Sequence, residues 1–206
     1  MLIGRRLKAQ EDRRMSNVKK IEKEIYNHKK GLGKVEWGSW WDNELYAYLE
    51  SFRLKRIRQW YDMYLKNKDC LVLGCGSGED IKDFEGLANK IVGIDISTRQ
   101  ILKASIKFKK DDFIVCDAEN LPFRDGSYDV VFCKSILHHL PNITEAIVEI
   151  NRVLRQSGIL FIAYEPCLLN LIAAIGRKFF PSNIHTPSEN LLYHLNFVNL
   201  LKIVAS

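Results

Sequence analysis

At 206 residues the chain has room for one α/β domain with an extension, and not for two full domains. Apolar residues make up 47% of it, which excludes disorder as the default state. The net charge of +6 lies in the first 34 residues, where eleven Lys and Arg face four Asp and Glu, so the rest of the chain is not a basic domain.

Residues 1–34 read as a basic helical arm. Its acids are interspersed and no aromatic pattern accompanies the basic residues, so a solvated helix is favoured over a nucleic-acid surface. The first residues offer no apolar stretch of leader length, and no run reaches membrane-spanning length. A cytoplasmic protein is the expectation. Residues 35–66 begin at a glycine-punctuated break and then repeat Leu45, Leu49, Phe52, Ile57, Trp60, Tyr61 and Tyr64 at helical spacing. Trp37, Trp40, Trp41, Tyr46 and Tyr48 cluster in this segment, either as a lid over a site or as plain helix-on-sheet packing.

Residues 67–206 read as the domain proper. "CLVLG" is a strand and "EDIKDFEGL" a helix. "KIVGIDIS" is a second strand, and "TRQILKASIKF" a helix capped by Ser97 or Thr98. "DFIVCDA" and "YDVVFCKS" are the third and fourth strands. "ITEAIVEINRVLRQSG" is a helix closed by Gly158, and "ILFIAYE" is the fifth strand, stopped by Pro166. The strands are apolar nearly throughout, as strands buried on both faces of a parallel sheet are. Their alternation with helices predicts a doubly wound, mainly parallel, Rossmann-like sheet with helices on both faces. The five cysteines, Cys70, Cys75, Cys116, Cys133 and Cys167, lack CxxC spacing, so free thiols are expected and no metal site is.

In such sheets ligands bind beyond the carboxyl ends of the strands, and the informative residues fall there. After strand one, Gly74-Cys75-Gly76-Ser77-Gly78 lets backbone N–H groups approach a ligand closely. After strand two, Asp95 is placed to accept both hydroxyls of a ribose, with Ile96 offering an apolar face to a purine. After strand three, Asp117 beside Ala118 suits an adenine edge with its exocyclic amine. Strand four ends in Lys134-Ser135, followed by His138 and His139.

The ordered set "LVLGCGSG…VGIDIS…CDAENLPFRDGSYDVVFCKSILHHL…EINRVLRQSGILFIAYEP" resembles the class I S-adenosylmethionine-dependent methyltransferases. It looks most like the type 11 group, which includes quinone-biosynthesis enzymes. The resemblance implies S-adenosyl-L-methionine as cofactor and a methyl group moved by in-line displacement to a small-molecule or lipid-like acceptor. It implies that Gly74, Gly76 and Gly78 line the methionine moiety and that Lys134 and Ser135 border it through backbone groups. It further implies that Asp95 holds the ribose, Ile96 flanks the adenine, and Asp117 with Ala118 meets the adenine edge. His138 and His139 then face the acceptor side as candidate catalytic bases.

Two departures accompany the resemblance. Val72 stands where the family has a carboxylate two residues before the first glycine, with Glu79 or Asp80 as candidate substitutes. The C-terminal strands are expected to be shortened, with the sheet edge exposed, covered by a partner or second copy, or unstable. The apolar stretch "CLLNLIAAIGRKFFP" packs inside the domain, lines a greasy pocket, or touches lipid peripherally.

A nicotinamide fingerprint is disfavoured because Glu79 occupies its third glycine position. Nucleic acid is not expected as a partner, since Lys134-Ser135-Ile136-Leu137 is not a base-amine methylation motif. An RNA methyltransferase using the basic arm stays as the weaker alternative, beside a non-catalytic cofactor-binding scaffold.

Overall fold

The computed structural model describes residues 57–163 and 165, together with positions 17, 19–21, 23, 24, 27 and 55. The described positions from 17 to 27 are helical (α1), as are 55 and 57–64 (α2). Five strands follow: β1 (Asp69–Leu73), β2 (Lys90–Asp95), β3 (Asp112–Val115), β4 (Tyr128–Lys134) and β5 (Leu154–Ala163). The helices among them are α3 (Thr98–Lys107) and α4 (Ile143–Val153), with short 3₁₀ turns at Ile81–Asp83 and Leu137–His139.

All four strand pairings are parallel, and the order is β3-β2-β1-β4-β5. β1 lies centrally, with Leu71 paired to Val92 on one side and Val131 on the other. Alternate residues feed two separate cores. Leu71, Leu73, Val131 and Cys133 pack with Ala146, Ile147, Ile150 and Val153 of α4. Cys70, Val72, Val130 and Phe132 pack on the opposite face with Tyr61, Phe84 and Ile101. Both parities are buried, which is why these strands are apolar at every position. Burying each such side chain contributes about 1.5–3 kcal/mol. Edge-to-face contacts of Tyr61 with Phe84 at 4.9 Å and Phe84 with Phe132 at 4.8 Å fix the second core.

Ser97 caps α3 by accepting from the Gln100 amide, and Asn142 caps α4 by accepting from that of Glu145. The stretch expected as a helix at "EDIKDFEGL" is only the 3₁₀ turn Ile81–Asp83. Ile81 and Phe84, three apart, both drop into the core, and Gly86 at φ +80° turns the chain back. α4 ends at Val153 and not at Gly158. Leu154 is already extended and pairs with Tyr128, and the register then shifts so that Val130 meets Ile159. Residues 155–158 therefore form a bulge in β5, with Ser157 at φ +66°. β3 is shorter than expected, ending at Val115 before Cys116-Asp117. In α2 the buried residue is Tyr61, while Trp60 and Tyr64 stay partly open to solvent.

The tryptophan-rich segment, Pro166, Cys167, the apolar stretch after it and the C-terminal strands lie outside the described residues. Among the described residues no helix is long and apolar enough to cross a membrane, and Cys70, Cys75, Cys116 and Cys133 are free thiols.

Candidate functional site

The carboxyl ends of β1, β2, β3 and β4 surround a cavity of about 300 Å³, at the lower end of the ~300–1,000 Å³ usual for small-molecule sites. Its wall includes Gly74, Cys75, Gly76, Ser77, Asp95, Ile96, Asp117, Ala118 and Ser135, all singled out by the sequence. Glu79, Asp80, Gln100, Cys116, His139 and Lys19 complete much of the rest.

The strand tips are tied to one another by backbone hydrogen bonds that extend the sheet. The Cys75 amide donates to the Ile94 carbonyl at 2.9 Å, that of Cys116 to Asp95 at 3.0 Å, and that of Ser135 to Ala163 at 3.1 Å. Ser135 takes this path at φ +52°, a left-handed conformation that non-glycine residues adopt at a cost of about 1–3 kcal/mol.

The three glycines have different tasks. Gly76, at φ +53°, has no atom within 4 Å of where a side chain would project, so its backbone faces open cavity. Gly74 lies against Ile136, whose Cδ1 would be 2.7 Å from an added Cβ. Gly78, at φ +83°, is outside the cavity wall. There an added Cβ would meet the Phe108 ring at 2.6 Å, so this glycine serves the packing of the loop on α3.

Asp95 is fixed by two amides: Gly76 donates to its Oδ2 at 3.0 Å and Ser97 to its Oδ1 at 2.8 Å. Burial pushes its pKa above the ordinary carboxylate value, against the opposing effect of those two amides. Each carboxylate oxygen keeps a further lone pair, so two hydroxyl donors can still be accepted. Asp117 accepts from the Glu119 amide at 3.0 Å and from Lys19 Nζ at 2.7 Å.

Lys134 is not on the cavity wall. Its ammonium pairs with Asp80, which is, and so joins the glycine loop to the tip of β4. Glu79 pairs with Lys107 at 2.8 Å. Val72 is buried in the second core, while Glu79 and Asp80 are both on the cavity wall.

The two histidine rings meet at a tilt, 4.1 Å between centroids, but only His139 lines the cavity. His138 is buried, and its Nδ1 lies 2.7 Å from Glu165 Oε2. Glu165 also accepts from the amides of Ile136 at 2.7 Å, Leu137 at 3.0 Å and His138 at 3.3 Å. Burial alone would raise the pKa of Glu165, but the His138 side chain and these amides together hold it below the usual carboxylate value. Cys75 and Cys116 are among the wall residues, and burial raises both thiols, that of Cys116 to about 11, so neither is a ready nucleophile.

Sequence reasoning did not find Glu165, Glu119 or Lys19. The partners of Glu165 lie 27 to 29 residues away and that of Lys19 98 residues away, and none carries a local motif.

A parallel sheet in this order, with a glycine loop and strand-end acids around one cavity, is the Rossmann-like arrangement of the methyltransferase fold. Residues 71–162, a little under half of the chain, match the family described as "Methyltransferase domain". The uncharacterized methyltransferase YcgJ of Bacillus subtilis is 25% identical over 143 residues, 61% of this chain and 56% of its own. A ubiquinone biosynthesis O-methyltransferase of Burkholderia multivorans is 29% identical over 150 residues, 68% of this chain and 64% of its own. The crystal structure of YcgJ superposes with a TM-score of 0.62 at 20% identity, covering 75% of this chain and 68% of that one, which establishes the shared fold. The chain thus spans a little over half the length of these two curated relatives.

Proposed function

We propose that the protein transfers a methyl group from S-adenosylmethionine to a small-molecule acceptor. The single observation that carries this reading is the convergence of Gly76, Asp95 and Asp117 on one cavity. The site fits the cofactor: the space over Gly76 is open and Asp95 is fixed on the wall by two amides. When bound, S-adenosylmethionine supplies a sulfonium-activated methyl group open to in-line displacement.

This chain's own residues then have distinct tasks. Asp95 accepts the ribose hydroxyls, Ile96 packs on the adenine, and Asp117 with Ala118 meets its edge. Gly74, Cys75, Gly76 and Ser77 line the methionine end, and Ser135 borders it. Asp80, fixed by Lys134, takes the amino-group duty that Val72 cannot perform. Lys134 therefore acts through its side chain on Asp80, and Gly78 through packing. His139, on the cavity wall, accepts the proton of a hydroxyl or amine acceptor, while His138 with Glu165 supports the turn that carries it. The O-methylating relative favours a hydroxyl acceptor.

The test is calorimetric titration with S-adenosylhomocysteine. Wild type binds, and Asp95→Ala loses about a hundredfold in affinity, two lost charge-assisted hydrogen bonds at ~1.5 kcal/mol each. Unchanged affinity in Asp95→Ala removes the ribose assignment. Binding without turnover on a panel of phenol and quinol acceptors shifts the reading to a non-catalytic cofactor-binding protein.

A further inference from the structure

We propose that Lys19, from the N-terminal arm, is a specificity-determining residue of the adenine end of the site, resting on the reading of this cavity as an adenosyl cofactor site. Lys19 is part of the cavity wall although it precedes the glycine loop by more than fifty residues. Its ammonium is shared between Asp117, at 2.7 Å, and Glu119. Glu119 is buried, and its other oxygen accepts from the Asn142 amide at 2.8 Å, so it cannot swing away from the site.

The arm is anchored a second time at Asn27. The Asn27 side-chain oxygen accepts from Ser97 Oγ at 2.7 Å and from the Arg99 amide at 3.2 Å. Its carbonyl accepts from Arg99 Nη1 at 2.9 Å. Residues 19 and 27 lie about 12 Å apart along a helix. That spacing lets α1 bridge the tips of β2 and β3, the ribose and adenine ends of the cavity. Lys20, Ile21, Lys23 and Glu24 between the two anchors are exposed, so the contact is made by one face of α1.

The consequence is chemical. Two carboxylates two residues apart repel, and without a shared cation only the Glu119 amide would hold the one nearer solvent. Asp117, about a third exposed, is the nearer. The shared ammonium holds both on the wall and fixes Asp117 as a pure acceptor. A pure acceptor takes a hydrogen bond from the 6-amino group of adenine and repels a 6-oxo group. Lys19 is thus a positioning residue, acting on the base through Asp117.

The test compares S-adenosylhomocysteine with S-inosylhomocysteine by calorimetry on the full chain, in wild type, Lys19→Ala, Lys19→Arg and Asn27→Ala. Wild type prefers the adenosyl ligand. Lys19→Ala lowers that preference about two- to fivefold, the scale of one partly exposed ion pair acting on one hydrogen bond. Lys19→Arg restores the preference. Asn27→Ala, which loosens the arm without touching Asp117, weakens both ligands alike and keeps the ratio. An unchanged ratio in Lys19→Ala, with adenosyl binding intact in wild type, overturns the inference alone. Absence of binding of either ligand to wild type overturns it together with the cofactor reading. Equal loss of the ratio in Asn27→Ala and Lys19→Ala reduces Lys19 to an anchor and also overturns it.

Discussion

At the amino ends of the strands, Arg155 donates to Asp129 at 2.6 Å and to Asp69 at 2.9 Å, and Asn89 closes on Asp69 at 2.7 Å. At the carboxyl ends, Asp80, Asp95 and Asp117 also have partners, yet each lines the cavity. The residue types are the same. The difference is that the amino-end charges are mutually saturated on an exposed surface. Those at the other end are held by backbone amides and distant lysines, with acceptor capacity left over. Gly76 and a left-handed Ser135 make room there.

Substitutions sharpen this contrast. The largest effect is expected at Glu165, beneath the β4 tip. Glu165→Ala strands the His138 ring nitrogen and three amides, costing about 3–5 kcal/mol in denaturant unfolding. The depressed Glu165 pKa gives the sign of its pH effect. Its contribution is fully present above the ordinary carboxylate value and disappears as pH falls through the lower folded value. Glu165→Gln therefore flattens the acid limb of a plot of Tm against pH. If that limb stays as steep as in wild type, the ionised Glu165 carboxylate is not what stabilises the turn.

Next come the glycines. Gly78→Ala forces a methyl group into Phe108 at a positive φ and costs about 2–3 kcal/mol of stability. Gly76→Ala costs only about 1 kcal/mol but places its methyl in the open cavity, so cofactor affinity falls more than stability. Equal effects of the two on binding would contradict the division of labour between them. The smallest effect belongs to Arg155→Ala, at the amino ends. Cofactor affinity stays at the wild-type value and Tm moves little, because the pair is exposed. A measurable loss of affinity there would show that the two ends are coupled.

The strands were legible because both faces of the sheet are buried, which makes Leu71 through Leu73 and Val130 through Cys133 apolar at every position. Asp95 and Asp117 were legible because one ends a strand and the other lies two residues beyond one. What escaped was set by contacts remote in sequence. The end of α4 is dictated by the pairing of Leu154 with Tyr128, and the presence of a glycine four residues later was misleading. The segment after the glycine loop has helical composition. Burial of Ile81 and Phe84 three apart holds it to a single tight turn. Lys19 reads as one solvated charge among eleven until the fold brings Asp117 and Glu119 to it.

The hydrogen bonds from Cys75, Cys116 and Ser135 to the neighbouring strands make each loop inherit the registration of the strand beside it. Inserting or deleting one residue in such a loop would transmit a one-step slip sideways and invert the facing of an adjacent strand. These loops are therefore free to exchange side chains and constrained in length. Diversification of the acceptor can proceed by point replacement around a frame of fixed dimensions.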